Sequence, residues 1–361
     1  MYGREREGVS ASAAGARQDK RSRLQACSDE HGIIIALAVD HRANLAQALA
    51  AARGSQEVAS ASDLRTFKRL VTQVLTPYAS AVLLDPEYGL EALTLRHPGT
   101  GVILAYERSG YSANGRILPP EVIPHYSVRR LVEAGAQAVK VLLYYNPFDN
   151  PQVNSVKQAY VERIGAECQA LEVPFFLEPL VYPGEELAGE TAELDFARLK
   201  PTYVARTVAE FGQPRYGVDV LKIEWPVVPT YIAGLHSCEA PTPAYSREEA
   251  IEQLRMVGMA TTKPLVYLSA GYSSATVCEL LELTAEAGVP FCGVVCGRAL
   301  WQEGIAIYAQ EGAAALERWL AREGVAAIQA IARVLRRCAT PWWQLSTSSL
   351  YQQMRESDYS G

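Results

Sequence analysis

Residues 218–222 read VDVLK and residues 136–140 read AQAVK, two apolar runs that each close on a lysine. A lysine at the end of a buried strand is costly without a use, because desolvation opposes its charge and draws its pKa toward the range of an amine nucleophile. Six more runs close on a polar or charged residue. They are GIIIALAVD ending at Asp40, AVLLD at Asp85, GVILAYE at Glu107, PFFLE at Glu178, PLVYLS at Ser269 and GVVCGR at Arg298. Eight such runs alternating with helical patterns predict an α/β chain folded as a parallel eight-stranded (β/α)8 TIM barrel, whose strand carboxyl ends share one active mouth. Acids, amines and an arginine around one mouth point to carbonyl chemistry through a Schiff base.

Between the runs, apolar residues at three- and four-residue spacing predict helices near 63–76, 126–135, 155–171, 199–211, 247–260 and 273–287. Ser127 is a cap for the second of these and Gly135 its terminating glycine. Pro174 and Pro264 end the preceding helices and open strands five and seven. The connections after strands two and eight carry no clear periodicity. Residues 1–30, rich in Arg, Ala, Ser and Gly, read as a mobile leader, in which Glu5, Glu7 and Asp19 interrupt any transit-peptide character. Residues 31–343 then form the barrel, with amphipathic helices after about residue 300, and 344–361 a loose tail.

A chain of 361 residues with 49% hydrophobic content can bury a large core as one domain. Its net charge of -6 and pI near 5.6 argue against a nucleic-acid surface. No run of about 18 apolar residues and no signal-like apolar core is present, so no membrane partner and a cytoplasmic location are expected. Seven cysteines at irregular spacing predict reduced, buried thiols, with Cys296 near the mouth a conceivable target of oxidation. The five histidines lack ligand spacing such as HxH or HExxH, so neither a metal nor another cofactor is expected.

The charged groups carry the chemistry. Seven of the 34 basic residues are lysines, which makes two strand-end lysines stand out. Spacing does not choose between Lys222 and Lys140 as the nucleophile, and a second ammonium nearby would further depress the pKa of the first. Glu224 is a structural partner that Lys222 could take instead. Glu178 sits in a run too apolar for an idle carboxylate. Burial would raise its pKa and fit it to carry protons to and from a carbinolamine, unless it serves as a structural ion pair. Asp40 and His41 can hydrogen-bond sugar hydroxyls or shuttle protons, and His41 would titrate near the ordinary value of about 6.5. Ser269, Gly271, Gly297 and Arg298 follow strands seven and eight, where barrels hold phosphate with loop amides and a helix start. The glycines let backbone approach the anion and the arginine adds charge-assisted hydrogen bonds.

The ordered motifs GIIIALAVDHRANL, LLDPEYGL, LAYERSGY, AVKVLLYYNP, KQAYVERIGAEC, PFFLEPLVY, RYGVDVLKIEWPV, YLSAGYS, GVVCGRALW and ATPW, across residues 30–343, resemble the class I tagatose 1,6-bisphosphate aldolases. The resemblance implies metal-free cleavage of a ketose 1,6-bisphosphate to dihydroxyacetone phosphate and glyceraldehyde 3-phosphate. It implies Lys222 as the Schiff-base lysine and Glu178 as proton carrier. Asp40 and Lys140 would hold hydroxyls and assist proton steps, while Ser269, Gly271, Gly297 and Arg298 would hold a phosphate. The partner expected is a small sugar phosphate, bound by a homo-oligomer. Two departures stand out: the family's DQR is Asp40-His41-Arg42 here, and its KVEVPV is the stretch from Lys222 to Val227 read as KIEWPV. A histidine in place of glutamine adds a titrating group beside the sugar. The alternatives are an aldolase of 6-deoxy-6-sulfofructose 1-phosphate, which shares much of the scaffold, and a non-catalytic phosphosugar-binding regulator.

Overall fold

In the computed structural model, which describes residues 19–108, 121–184, 187, 189 and 191–345, each of the eight apolar runs becomes a strand. They are β1 (Ile34–Ala38), β2 (Ala81–Leu84), β3 (Gly101–Ala105), β4 (Ala138–Tyr145), β5 (Phe175–Val181), β6 (Val220–Ile223), β7 (Leu265–Leu268) and β8 (Gly293–Cys296). Each pairs in parallel with its neighbours in chain order, and β1 closes on β8 through Ile34↔Gly293 and Leu37↔Cys296. The predicted barrel is observed. Lys140, Glu178 and Lys222 are the exceptions to the strand-end reading, because β4, β5 and β6 continue past them to Tyr145, Val181 and Ile223.

The helices in chain order are α1 (Lys20–Ala26), α2 (Ala43–Ala52), α3 (Ala61–Leu75), α4 (Val128–Glu133), α5 (Pro151–Ala170), α6 (Ala192–Phe211), α7 (Arg247–Met259) and α8 (Ser274–Glu286). They are followed by α9 (Arg298–Trp301), α10 (Gly304–Glu311), α11 (Ala313–Trp319), α12 (Val325–Cys338) and α13 (Trp342–Leu345). Local chemistry sets their starts: Ser60 and Asp63 form a capping box on α3, and Ser127 accepts from Arg130 N at the start of α4. Gly135 follows α4 at φ +107°, as a terminating glycine does. After β2, in place of a helix with the usual period, stands a single 3-10 turn at Leu90–Leu95.

Strand alternation divides the core in two. Outward residues such as Leu37, Val82, Leu104, Val139 and Leu177 pack under the helices in a large outer cluster. Inward residues fill the lower barrel with Ile34, Ala36, Ala81, Ile103, Ala138, Phe176, Val220 and Val266. Leu24 from α1 and Cys27 just after it, and Trp342 and Leu345 from α13, join that inner cluster and close its floor. The leader expectation therefore extends too far: burial of Leu24, the Lys20–Asp219 ion pair at 2.7 Å and a bond from Arg23 to Ala136 O fix residues 20–27 to the barrel. Residues 1–18 and 346–361, the rest of the expected leader and tail, lie outside the described residues. Gln344 and Leu345, expected in the tail, complete α13.

Candidate active site

One step of the pleat above the apolar floor, the inward positions turn ionic. Ala38 is followed two residues later by Asp40, Ala105 by Glu107, Ala138 by Lys140, Phe176 by Glu178 and Val220 by Lys222. Alternation sends each of these side chains to the same face as the apolar residue below it. The five charged side chains line a cleft of about 270 Å³ at the carboxyl mouth, with His41, Ser269, Gly297 and Arg298 on its rim.

Distances connect them into one network. Lys140 Nζ lies 3.0 Å from Asp40 Oδ2, 2.8 Å from Glu107 Oε1 and 2.8 Å from Glu178 Oε2. The other oxygen of Glu178 is 2.8 Å from Lys222 Nζ. Glu178 therefore bridges both lysines, while Lys222 meets only that carboxylate among the described residues. Burial works against charge at Lys140, but Asp40, Glu107 and Glu178 overcome it and hold the ammonium well above the ordinary lysine range. Asp40 is likewise pulled far below the usual carboxylate range, its burial outweighed by Lys140, His41 and Lys222.

Two expectations are corrected by this geometry. Burial was expected to raise Glu178, and it does act in that direction, but the Lys140 and Lys222 ammoniums outweigh it and the carboxyl is held below its ordinary value. His41 was expected to titrate near the ordinary histidine value. Burial instead pushes it down to about 4, with Asp40 opposing and Arg298 and Lys68 adding to the fall. Its ring stands edge-on to Trp301 with centroids 5.0 Å apart, and its Nδ1 is 3.7 Å from Asp40 Oδ1.

The loops after β7 and β8, expected to hold phosphate, lie at the mouth beside the β1 end. After β7 the backbone turns through left-handed Ala270 (φ +52°) and Gly271 (φ +86°), and Tyr272 N bonds Ser269 O at 2.9 Å. A Cβ on Gly271 would stand 3.2 Å from the Arg298 guanidinium carbon, so the arginine covers the turn closely. Gly297 approaches β1 so tightly that a Cβ there would be 2.9 Å from Ala38 O and 3.0 Å from His41 Cε1. The Gly297 amide is 3.4 Å from Ser269 Oγ, which ties the two loops together. The exposed Arg298 guanidinium, at the start of α9, has no ion pair among the described residues.

Asp85 closes β2 but leaves the mouth: it pairs with Lys68 of α3 beneath the outer helices. Glu224 takes Lys200 at 2.6 Å rather than Lys222. Cys296 is buried, and burial pushes its thiol up to about 12, which makes it a poor target for oxidation. Two residues of the site and one behind it received no role from the sequence. Glu107 was visible as a strand closer. Arg42 sits beside it, donating to Glu107 O at 2.7 Å and to Glu87 at 2.6 Å. Lys68 was detectable by a different signal, since it falls on the apolar stripe of α3 with Leu64, Val71 and Leu75. Among the described residues no group of three or more His, Cys, Asp or Glu side chains is arranged to hold a metal ion.

Comparison with known proteins adds independent findings. The DeoC/LacD family aldolase model matches residues 34–303. The chain is similar to the tagatose 1,6-diphosphate aldolase of Listeria monocytogenes serotype 4a, 41% identical over 89% of this chain and 92% of that protein. It is 42% identical to tagatose 1,6-diphosphate aldolase 2 of Streptococcus mutans and 43% identical to tagatose 1,6-diphosphate aldolase 1 of Streptococcus pyogenes, each over 90% of this chain and 97% of the relative. In fold it is similar to the crystal structure of fructose-bisphosphate aldolase from Plasmodium falciparum, with a TM-score of 0.59, 15% identity, and coverage of 86% and 93%. A Corynebacterium glutamicum structure gives a TM-score of 0.56 at 19% identity, covering 86% and 88%.

Proposed function

Since the chain belongs to the DeoC/LacD aldolase family, we propose that it is a class I lyase cleaving tagatose 1,6-bisphosphate to dihydroxyacetone phosphate and glyceraldehyde 3-phosphate through an imine at Lys222. The substrate reading is supported by relatives of that activity at 41–43% identity over most of both chains. The choice of lysine is supported by one observation: Lys140 is surrounded by Asp40, Glu107 and Glu178, whereas Lys222 forms an ion pair with Glu178 alone among the described residues. An ammonium held by three carboxylates stays protonated and is no nucleophile. Lys140 is then a fixed positive charge that holds the sugar hydroxyls, and Lys222 supplies the amine.

The chemistry proceeds from that division. Lys222 Nζ gives a proton to Glu178 and adds to the ketose C2 carbonyl. Glu178 owes its low proton affinity to two ammoniums, and a neutral nitrogen at Lys222 removes one of them. Its proton affinity rises at the carbinolamine stage, when the departing hydroxyl needs a proton. Loss of water forms the iminium, whose charge lowers the affinity of Glu178 again. As Glu178, now unprotonated, takes the C4 hydroxyl proton, the C3–C4 pair flows into the iminium, glyceraldehyde 3-phosphate leaves and an enamine remains. Return of that proton from Glu178 to C3, followed by hydrolysis of the iminium, releases dihydroxyacetone phosphate and restores Lys222. Asp40 and His41 orient the hydroxyls, and the Ser269–Gly271 turn, Gly297 and Arg298 hold the phosphate of the dihydroxyacetone half. A phosphate-sensing regulator would need those loops but no paired lysines, so the intact ionic network supports the enzyme.

Borohydride reduction in the presence of dihydroxyacetone phosphate is expected to add mass to the peptide containing Lys222, with activity unchanged by EDTA. Labelling at Lys140 would reverse the two lysines, and inactivation by chelator would overturn the mechanism. In a panel of ketose 1,6-bisphosphates and 6-deoxy-6-sulfofructose 1-phosphate, tagatose 1,6-bisphosphate should give the highest kcat/KM. A tenfold preference for the sulfonated sugar, about 1.4 kcal/mol in the transition state, would change the substrate and leave the imine chemistry standing.

A further inference from the structure

Lys68 is one of the most deeply enclosed polar residues of the chain, with 0% exposure, yet it belongs to a helix outside the barrel. Its Nζ reaches inward to three acceptors: the carbonyl of Val39, the carbonyl of His41 at 2.8 Å, and Asp85 Oδ2. An ammonium has three donors, so all three are used. The two carbonyls belong to the residues on either side of Asp40. The regular β1–β2 pairing ends at Ala38↔Leu83, and Asp40 stands beyond it on the segment that leads into α2. Asp85 is itself immobilised, since its Oδ1 accepts from Glu87 N at 3.0 Å and Tyr88 N at 2.8 Å. The anchor thus runs from the β2 end through Lys68 to the carbonyls of Val39 and His41, one residue to each side of Asp40.

We propose that Lys68 is a positioning residue for Asp40, clamping its backbone from behind so that the carboxylate meets Lys140 and the substrate hydroxyl in a single orientation. The proposal rests on the assignment of Lys140, Lys222 and Asp40 to the active site made above. Lys68 touches neither the cleft nor the reacting atoms. Its effect should therefore travel through the Val39–His41 segment, and chiefly through Asp40 at its centre. A misplacement of about 1 Å at a catalytic group can cost on the order of a hundredfold in rate.

The test is a double-mutant cycle. Lys68→Met is made together with Asp85→Asn, so that no unpaired buried carboxylate is left to unfold the chain. In this paired variant kcat for ketose bisphosphate cleavage should fall about 10- to 100-fold with KM within about threefold, while borohydride trapping of dihydroxyacetone phosphate at Lys222 keeps its wild-type extent. In an Asp40→Asn background the same pair should change kcat by less than about threefold, because its target is already gone. Equal losses in both backgrounds, or wild-type kcat in the paired variant, would overturn the proposal. Lys68→Gln, which retains a donor toward the two carbonyls, should recover part of the lost rate. Absence of trapping in the wild-type enzyme would instead overturn the Schiff-base reading, which keeps the two failures distinct.

Discussion

The floor and the mouth of the barrel interior are built by the same strands, one pleat apart, and they serve opposite ends. Phe176 and Glu178, Val220 and Lys222, and Ala138 and Lys140 are pairs of inward residues on β5, β6 and β4. The lower member of each pair packs in an apolar layer closed from below by Leu24 and Trp342. The upper member is equally hidden from water but carries charge, with Lys140 2% exposed and Glu178 6%. Burial that stabilises Phe176 opposes charge at Glu178, and the ionic layer persists because each group finds an opposite charge within about 3 Å. The difference teaches that one strand can supply an apolar layer for stability and, one pleat higher, the charged groups proposed to carry the chemistry.

The largest expected effects come from separating those contributions. Lys222→Met should remove the borohydride adduct and lower kcat by about three orders of magnitude or more, while the far-ultraviolet circular dichroism stays that of the wild type. Phe176→Ala should do the reverse, lowering stability by about 3–5 kcal/mol in denaturant titration while folded molecules keep their kcat. If the Phe176 variant lost turnover without losing stability, the two layers would not be separable.

A smaller effect tests the rim, where charge is exposed and has no ion pair among the described residues. A hydrogen-bonded charge pair is worth about 1.5–3 kcal/mol, so Arg298→Ala should weaken binding of dihydroxyacetone phosphate roughly 10- to 150-fold. Inhibition by inorganic phosphate should weaken in parallel. Unchanged affinity for both would move the phosphate elsewhere in the mouth.

The smallest effect concerns His41, which lies between the buried ionic layer and the rim. Its folded pKa of about 4 is below the ordinary value of about 6.5, so the ring is uncharged at neutral pH. The stability linked to that neutral ring is fully present above about pH 6.5. It is lost as pH falls toward 4, because the unfolded chain takes up the proton first. From about pH 6 to 8 the kcat/KM profiles of the wild type and His41→Gln should therefore share one shape. An inflection near 6.5 that disappears in the variant would show that His41 is wetter and more easily charged than its burial implies.

Much of this was legible in the primary sequence because alternation is a local rule. Apolar runs closing on Asp40, Glu107, Lys140, Glu178 and Lys222 announce inward polar positions at the carboxyl end of a parallel barrel, and Gly271, Gly297 and Arg298 follow the last two strands as phosphate loops do. The same rule misled at Asp85, where the chain has already left the strand and the side chain turns outward to Lys68. It was silent on Lys68, whose partners are carbonyls supplied by a loop 27 and 29 residues earlier.

The sequence by itself determined the barrel, the order of its strands and most of the charged residues at its mouth, since these follow from periodicity and strand-end position. Only the tertiary structure decided how the charges divide the work. Lys140 meets Asp40 from 100 residues away and Glu107 from 33, and Glu178 falls below its ordinary pKa where burial alone would have raised it. The physical reason is that a proton's affinity depends on the charges within a few ångströms, and closing the barrel brings those charges from different strands into one layer.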